Sequence, residues 1–238
     1  MISLAITTYN RSDLVVESFL SVLNNEYINE IVIVDDFSDT SIFDDLKLKL
    51  DELQNDKIKL YRNDSNLKPL LNKLETIKHC QNEWVILLDS DNKITNDYVD
   101  IIKNLDKDEN VLYLPQTLLH FNDEKIIDFY NIKNCFINFE NIKDYLNKPE
   151  IDTVLNVGNF FVNKNKYLQT FSKIDLEFHL GANDAFYFSY LWIMSNKVIN
   201  VVSDLKYYHR QHDGSWYLNN RLQCDNNTKE LINRLKNI

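Results

Sequence analysis

Residues 1–92 alternate short apolar runs, each ending abruptly in polar or acidic residues, with helical patterns. Ile2 to Thr8 reads as a strand, and Ser12-Asp13 then opens a helix with Leu14, Val15, Phe19, Val22 and Leu23 on one side. A second strand, Glu30 to Val34, stops at Asp35-Asp36-Phe37-Ser38-Asp39. Helix Ile42 to Leu53, strand Lys57 to Tyr61 and helix Leu67 to Cys80 follow, and then strand Trp84 to Leu88 runs into Asp89-Ser90-Asp91-Asn92. Strands alternating with helices at this spacing predict an α/β fold with a doubly wound, mostly parallel sheet. Such a sheet keeps its ligand site outside the carboxyl ends of its strands. Burying an unpaired carboxylate costs on the order of several kcal/mol, so Asp89 and Asp91 are expected at a strand mouth, facing water or a cation.

The pattern loosens after Asp91. Asn96 to Leu105 reads as a helix, and Val111 to Leu114 as a strand ending at Pro115. Gln116 to Glu150 is aromatic and Asn-rich, with periodicity too weak to assign elements. Asp152 to Val162 carries strand residues, Lys164 to Phe171 a short helix, Asp184 to Met194 a helix rich in aromatics, and Lys197 to Val202 a further strand. The aromatics Phe186, Tyr187, Phe188, Tyr190 and Trp192 are read as core. Arg221 to Ile238 is a polar C-terminal helix, able to dock a second subunit or lie on a membrane surface but without a strong apolar face. No repeat or Pro/Ser/Gly linker marks a boundary, so one domain over 1–238 is expected, with 216–238 as helical tail.

Composition removes several function classes. A formal net charge of -10 is a poor footprint for nonspecific nucleic-acid binding, so no nucleic-acid partner is expected. The three glycines are Gly158, Gly181 and Gly214, so a Gly-rich phosphate loop in the first half is excluded. A diphosphate bound there needs another partner, and a divalent cation on Asp89 and Asp91 would supply one. Cys80, Cys135 and Cys224 lack metal-ligand spacing and read as reduced thiols. No run approaches the ~18 to 20 apolar residues of a membrane span, and the chain opens on a strand pattern rather than a leader. The expectation is a soluble, cytoplasmic protein, with peripheral attachment to a membrane surface as the second location.

Five segments then converge: ISLAITTYNRSD at the start, IVIVDDFSD, NEWVILLDSDN, GANDAF and YYHRQHDGS. In this order and spacing the chain resembles the inverting glycosyltransferases of family 2, with the Rossmann-like GT-A fold. The resemblance implies transfer of a sugar from a nucleotide-sugar donor, UDP-linked in the first instance, to a hydroxyl of a glycan, polysaccharide or glycolipid. It also implies a Mn²⁺ or Mg²⁺ cofactor, a nucleotide-binding half over 1–92 and an acceptor-binding half over 93–215. LLDSDN matches the family's DxD motif, making Asp91 the metal ligand and Asp89 its helper at ribose or metal, with Ser90 between them. An EF-hand is excluded, because Lys93 and Ile94 occupy the fifth and sixth loop positions.

Thr7, Tyr9 and Arg11 resemble the loop framing base and ribose. Asp36, and after it Asp35, match the nucleobase-reading position; a helix-entry turn is the structural alternative. Lys73, where the family often has arginine, faces the diphosphate or else solvent. Asp184 aligns with the catalytic base, although Asn183 replaces the family's preceding glutamate. His212 matches the histidine that completes the metal shell or meets the diphosphate, Arg210 matches the signature arginine, and His209 competes with His212. Trp216 and Tyr217 are placed to stack on a sugar or close a lid, unless they only pack. Two rivals remain at this point. A sugar nucleotidyltransferase would need the missing Gly-rich loop, and a catalytically degenerate GT-A domain, binding sugar or protein, would be signalled by loss of Asp91, Asp184 or the tail histidine.

Overall fold

The computed structural model describes residues 1–173, 184–210 and 216–238, the last without the side chains of 216 and 217. Asn183 and His212 lie outside the described residues. Nine strands form one sheet among the described residues: β1 Ile2–Thr8, β2 Ile28–Asp35, β3 Ile58–Arg62, β4 Trp84–Asp89, β5 Val111–Leu119, β6 Lys125–Asp128, β7 Phe136–Ile137, β8 Phe160–Asn163 and β9 Val198–Tyr208.

Every residue of β1 is buried, as a strand covered on both faces must be. It pairs in parallel with β2 on one side and β4 on the other, and β3 extends the parallel run beyond β2. Helices Ser12–Phe19, Thr40–Glu52 and Lys68–His79 make the crossovers. Beyond β4 the order continues β8, β5, β9, β7, with β8 antiparallel to both neighbours and β9 parallel to β5. The sheet is thus doubly wound and mostly parallel, as the alternation predicts.

Register sets the site. Thr8 lies beside Asp35 and Thr7 beside Asp89, so the loops after β1, β2 and β4 leave the same edge of the sheet. A backbone bridge between Lys93 and Tyr208 brings the end of β9 to the same place. Its two hydrogen bonds run from Lys93 N to Tyr208 O at 2.9 Å and from Tyr208 N to Lys93 O at 2.8 Å.

Three assignments change. The strand expected over Lys197–Val202 continues to Tyr208 as β9, paired with β5 along its length. The strand expected to stop at Pro115 runs through it to Leu119, because the register against β9 slips between Pro115 and Thr117. A bulge tolerates a residue that cannot donate to the ladder. Residues within Asp152–Val162 are first a helix, Ile151–Leu155, and only then β8. Ile151, Val154 and Leu155 are buried, so helical burial overrides the strand propensity of their β-branched neighbours. Helix Asp184–Met194 buries Phe186, Tyr187, Phe188 and Trp192, with Phe188 stacked on Phe160 and Tyr167. The tail forms helix Arg221–Lys236 and buries Cys224, Leu231 and Leu235. No helix among the described residues is long and apolar enough to cross a membrane. The three cysteines are unbridged.

Candidate active site

A cleft of about 890 Å³ opens at the carboxyl edge of β1, β2 and β4, and Thr7, Tyr9, Arg11, Asp36, Lys73, Asp89, Asp91, Asp184 and Arg210 all line it. Asp35 and Ser90 are not among its lining residues. The Asp35 carboxylate accepts from Ser38 N at 2.9 Å and from Ser38 Oγ, and lies 3.5 Å from Arg62 Nε. It organises the turn after β2 from below. Ser38 Oγ in turn accepts from Asn10 N at 2.7 Å, and Asn10 Oδ1 accepts from Asp39 N at 2.9 Å. These bonds hold Asn10 at φ 52, in the left-handed region that asparagine tolerates better than most residues. Asp35 therefore shapes the loop bearing Tyr9 and Arg11. Ser90 is likewise buried, its backbone N bonded to Thr7 O at 3.1 Å. Its side chain is directed into the fold.

Asp36 turns the other way. Its carboxylate accepts from Asn63 Nδ2 at 2.9 Å, Leu67 N at 2.8 Å and Lys68 N at 2.9 Å, pinning the segment that leads into helix Lys68–His79. Burial raises its pKa above the ordinary aspartate value, against the pull of those donors.

Three acids and a lysine form the centre of the cleft. Lys73 Nζ lies 2.7 Å from Asp184 Oδ2 and 3.1 Å from Asp89 Oδ1, with only 6% of its side chain exposed. Burial alone would depress the Lys73 ammonium, but Asp184 and Asp89 outweigh it and raise its pKa. The lysine is therefore fully charged, and the solvated alternative for Lys73 is overturned. Burial pushes the Asp89 carboxyl up; Lys73 opposes this, while Asp91 and Asp184 reinforce it. Thr7 Oγ1 donates to Asp89 at 3.2 Å, and Asp89 N donates to Asn159 Oδ1 at 2.7 Å. Asn159 also hydrogen-bonds Tyr207, whose phenol burial keeps protonated.

Gly158 explains how the pair fits. A Cβ there would stand 2.9 Å from Lys73 Nζ and 3.1 Å from Asp89 Oδ2. Gly158→Ala should therefore push apart the Lys73–Asp89 pair and lower thermal stability. An alanine variant that melts with the parent would show the contact to be slack.

Asp91 is paired with Arg11, Nη1 to Oδ2 at 2.5 Å. Arg210 N donates to Asn92 Oδ1 at 3.2 Å, while its guanidinium donates to Glu17 at 2.6 Å and lies 3.9 Å above the Phe121 ring. The charge of Arg210 is thus held at the rim. His209 lines the cleft with its ring edge-on to Tyr207. Among the described residues no group of three His, Cys, Asp or Glu forms a metal site. Asp89 and Asp91 are nevertheless hard oxygen donors in a cleft where acids crowd one lysine, and this suits partial coordination of Mg²⁺ or Mn²⁺. Gly158, Asn159 and Tyr207 were not singled out as site residues in the sequence. Gly158 carried a signal as the first glycine of the chain and Tyr207 as the first residue of YYHRQHDGS, whereas Asn159 carried none.

A family model described as glycosyl transferase family 2 matches residues 3–171. No curated protein matches the chain. Among solved structures, S. aureus TarS 1-349 is similar at 19% identity and TM-score 0.64, over 87% of this chain and 60% of that one. A further TarS structure is in complex with UDP-GlcNAc. Mannosyltransferase PcManGT from Pyrobaculum calidifontis, in complex with GDP-Man and Mn²⁺, is similar at 13% identity and TM-score 0.65, over 98% of this chain and 64% of that one. GalNAc-T7 with UDP, GalNAc and Mn²⁺ is similar at 16% identity and TM-score 0.70, over 98% of this chain and 47% of that one. The chain thus spans less than two thirds of each of these structures.

Proposed function

Because the chain belongs to glycosyl transferase family 2 and has the GT-A fold, we propose that its cleft transfers a hexosyl or N-acetylhexosaminyl group from a nucleotide sugar, with inversion, to a hydroxyl of a glycan, polysaccharide or glycolipid. The observation that carries this reading is Lys73, which holds the acid of the DxD-like turn and the acid aligned with the family's base around one ammonium. Donor-binding and proton-accepting groups then face the same small volume. The UDP-GlcNAc and GDP-Man complexes of proteins with this fold support a nucleotide-sugar donor.

Thr7, Tyr9, Arg11 and Asp36 frame base and ribose. A carboxylate such as Asp36 accepts from the imide N–H of uracil or thymine or from the ring N–H of guanine, and UDP is the first donor to test. Asp91 and Asp89 would hold a divalent cation on the diphosphate, with His212 as a further candidate ligand. When bound, that cation supplies Lewis-acid neutralisation of the charge that grows on the leaving phosphate. Asp184 accepts the proton of the acceptor hydroxyl as its oxygen bonds to the anomeric carbon. The bond from that carbon to the phosphate oxygen breaks on the opposite face, and its electron pair leaves with the nucleoside diphosphate. Lys73 holds the Asp184 carboxylate in place through this step.

A thermal-shift panel of UDP, GDP, dTDP and CMP sugars with Mn²⁺ tests the reading. At about 100 times Kd a ligand adds about 2.7 kcal/mol, or roughly 5 to 10 °C for a domain of this size. Asp91→Ala should abolish the shift. A protein that no nucleotide sugar stabilises in the presence of metal does not perform this reaction.

A further inference from the structure

The acceptor half of the cleft has a charge pattern that selects among the glycans left open above. Its wall comes from β5, β6, helix Ile151–Leu155 and the start of the tail helix, and contributes Leu118, Ile126, Ile127, Thr153, Asn156 and Asn220. These are aliphatic, hydroxyl and amide groups. Amides and hydroxyls exchange hydrogen bonds with sugar hydroxyls, and the aliphatic side chains cover C–H faces. None of the six carries a charge.

The cations of the cleft lie elsewhere. Among the described lining residues they are Arg11, Lys68, Lys73 and Arg210. Lys73 is shared by Asp184 and Asp89, Arg11 is paired with Asp91, and Arg210 is held by Glu17 and Phe121. Lys68 is on the donor side, its backbone N bonded to Asp36. Against these four stand the carboxylates Asp13, Asp36, Asp89, Asp91 and Asp184. Segments 174–183 and 211–215 add no lysine or arginine in sequence, only Asp175, Glu177 and Asp213 among charged residues. An anionic acceptor would therefore meet a negative cleft, on a chain of net charge -10, without a cation placed for it.

We propose that the acceptor is an uncharged glycan, bound along the Thr153–Asn156 wall by amide and hydroxyl groups, and that uronic-acid or phosphate-bearing glycans are disfavoured. The proposal rests on the glycosyltransferase reading, which a donor titration checks before any acceptor is added. The test uses pairs of oligosaccharides of equal length and sugar composition, one neutral and one carrying uronic acid or phosphate. Each is offered free and on a lipid carrier, so that the arms separate a soluble glycan from a glycolipid. Assays at pH 8 keep ordinary histidines neutral.

At low salt kcat/KM for the neutral member should exceed that for the anionic one by about tenfold or more, and the ratio should shrink as salt screens the repulsion. Thr153→Lys should raise use of the anionic member relative to the neutral one. Donor binding accompanied by transfer to anionic members alone, by equal use of both at low salt, or by a ratio indifferent to salt overturns the proposal. Absence of donor binding defeats the underlying reading instead.

Discussion

Asp184→Asn should lower sugar transfer by about a hundred- to ten-thousand-fold, the range for loss of a general base, while donor affinity stays close to that of the parent. The two effects separate because of where the side chain stands. Asp184 opens the helix Asp184–Met194, outside the β1, β2 and β4 loops, and meets Asp89 through the Lys73 ammonium that both acids share. Asparagine keeps size and a hydrogen-bonding oxygen for Lys73 but cannot accept the acceptor proton. Calorimetric titration with the donor, beside initial rates of transfer, separates binding from chemistry. A variant that loses donor binding and rate together would place Asp184 in the donor site and leave the base unassigned. A variant with parental rate would remove it from the mechanism.

Lys73→Met should be the most destabilising single change in the cleft. Methionine matches the length of the lysine stem, so packing beside Gly158 is largely kept. What is lost is the positive charge between two carboxylates, and breaking a fully buried ion pair by removing one partner costs about 3 to 5 kcal/mol. Asp89 and Asp184 keep 29% and 20% of their side chains exposed. Water therefore reaches both acids, and the expected loss falls below that range, roughly 2 to 3 kcal/mol or a fall in Tm of about 5 to 10 °C. The penalty should shrink in the Lys73→Met, Asp184→Asn double variant, because the acids then repel less. That non-additivity is the signature of a shared charge network. A methionine variant with unchanged Tm and transfer would return Lys73 to the status of an ordinary helix residue.

Much of this arrangement was legible in the sequence, for identifiable reasons. Parallel strands covered on both faces write themselves as continuous apolar runs, so β1, β2 and β4 and the acids at the ends of β2 and β4 were readable. The direction of side chains in adjacent positions was not. Asp35 and Asp36 are equivalent as letters, yet one ties down Ser38 and the other lines the cleft while accepting from Leu67 N and Lys68 N. Ser90 between two cleft-lining aspartates is buried for the same reason of alternation. Lys73 pairs with a residue 111 positions away, a separation no local pattern encodes. The end of β5 and the start of β8 escaped because a bulge admitted Pro115 and because a β-branched stretch folded as a helix.

The anomer released by slow donor hydrolysis tests the inverting chemistry most directly, since water replaces the acceptor and no acceptor need be known. With Mn²⁺ and a UDP-sugar whose sugar is α-linked to the diphosphate, proton NMR resolves the product before mutarotation scrambles it. The β anomer should form first, and Asp184→Asn should suppress it. First release of the α anomer, or nucleotide binding with no turnover under any condition, would contradict inverting transfer by this cleft.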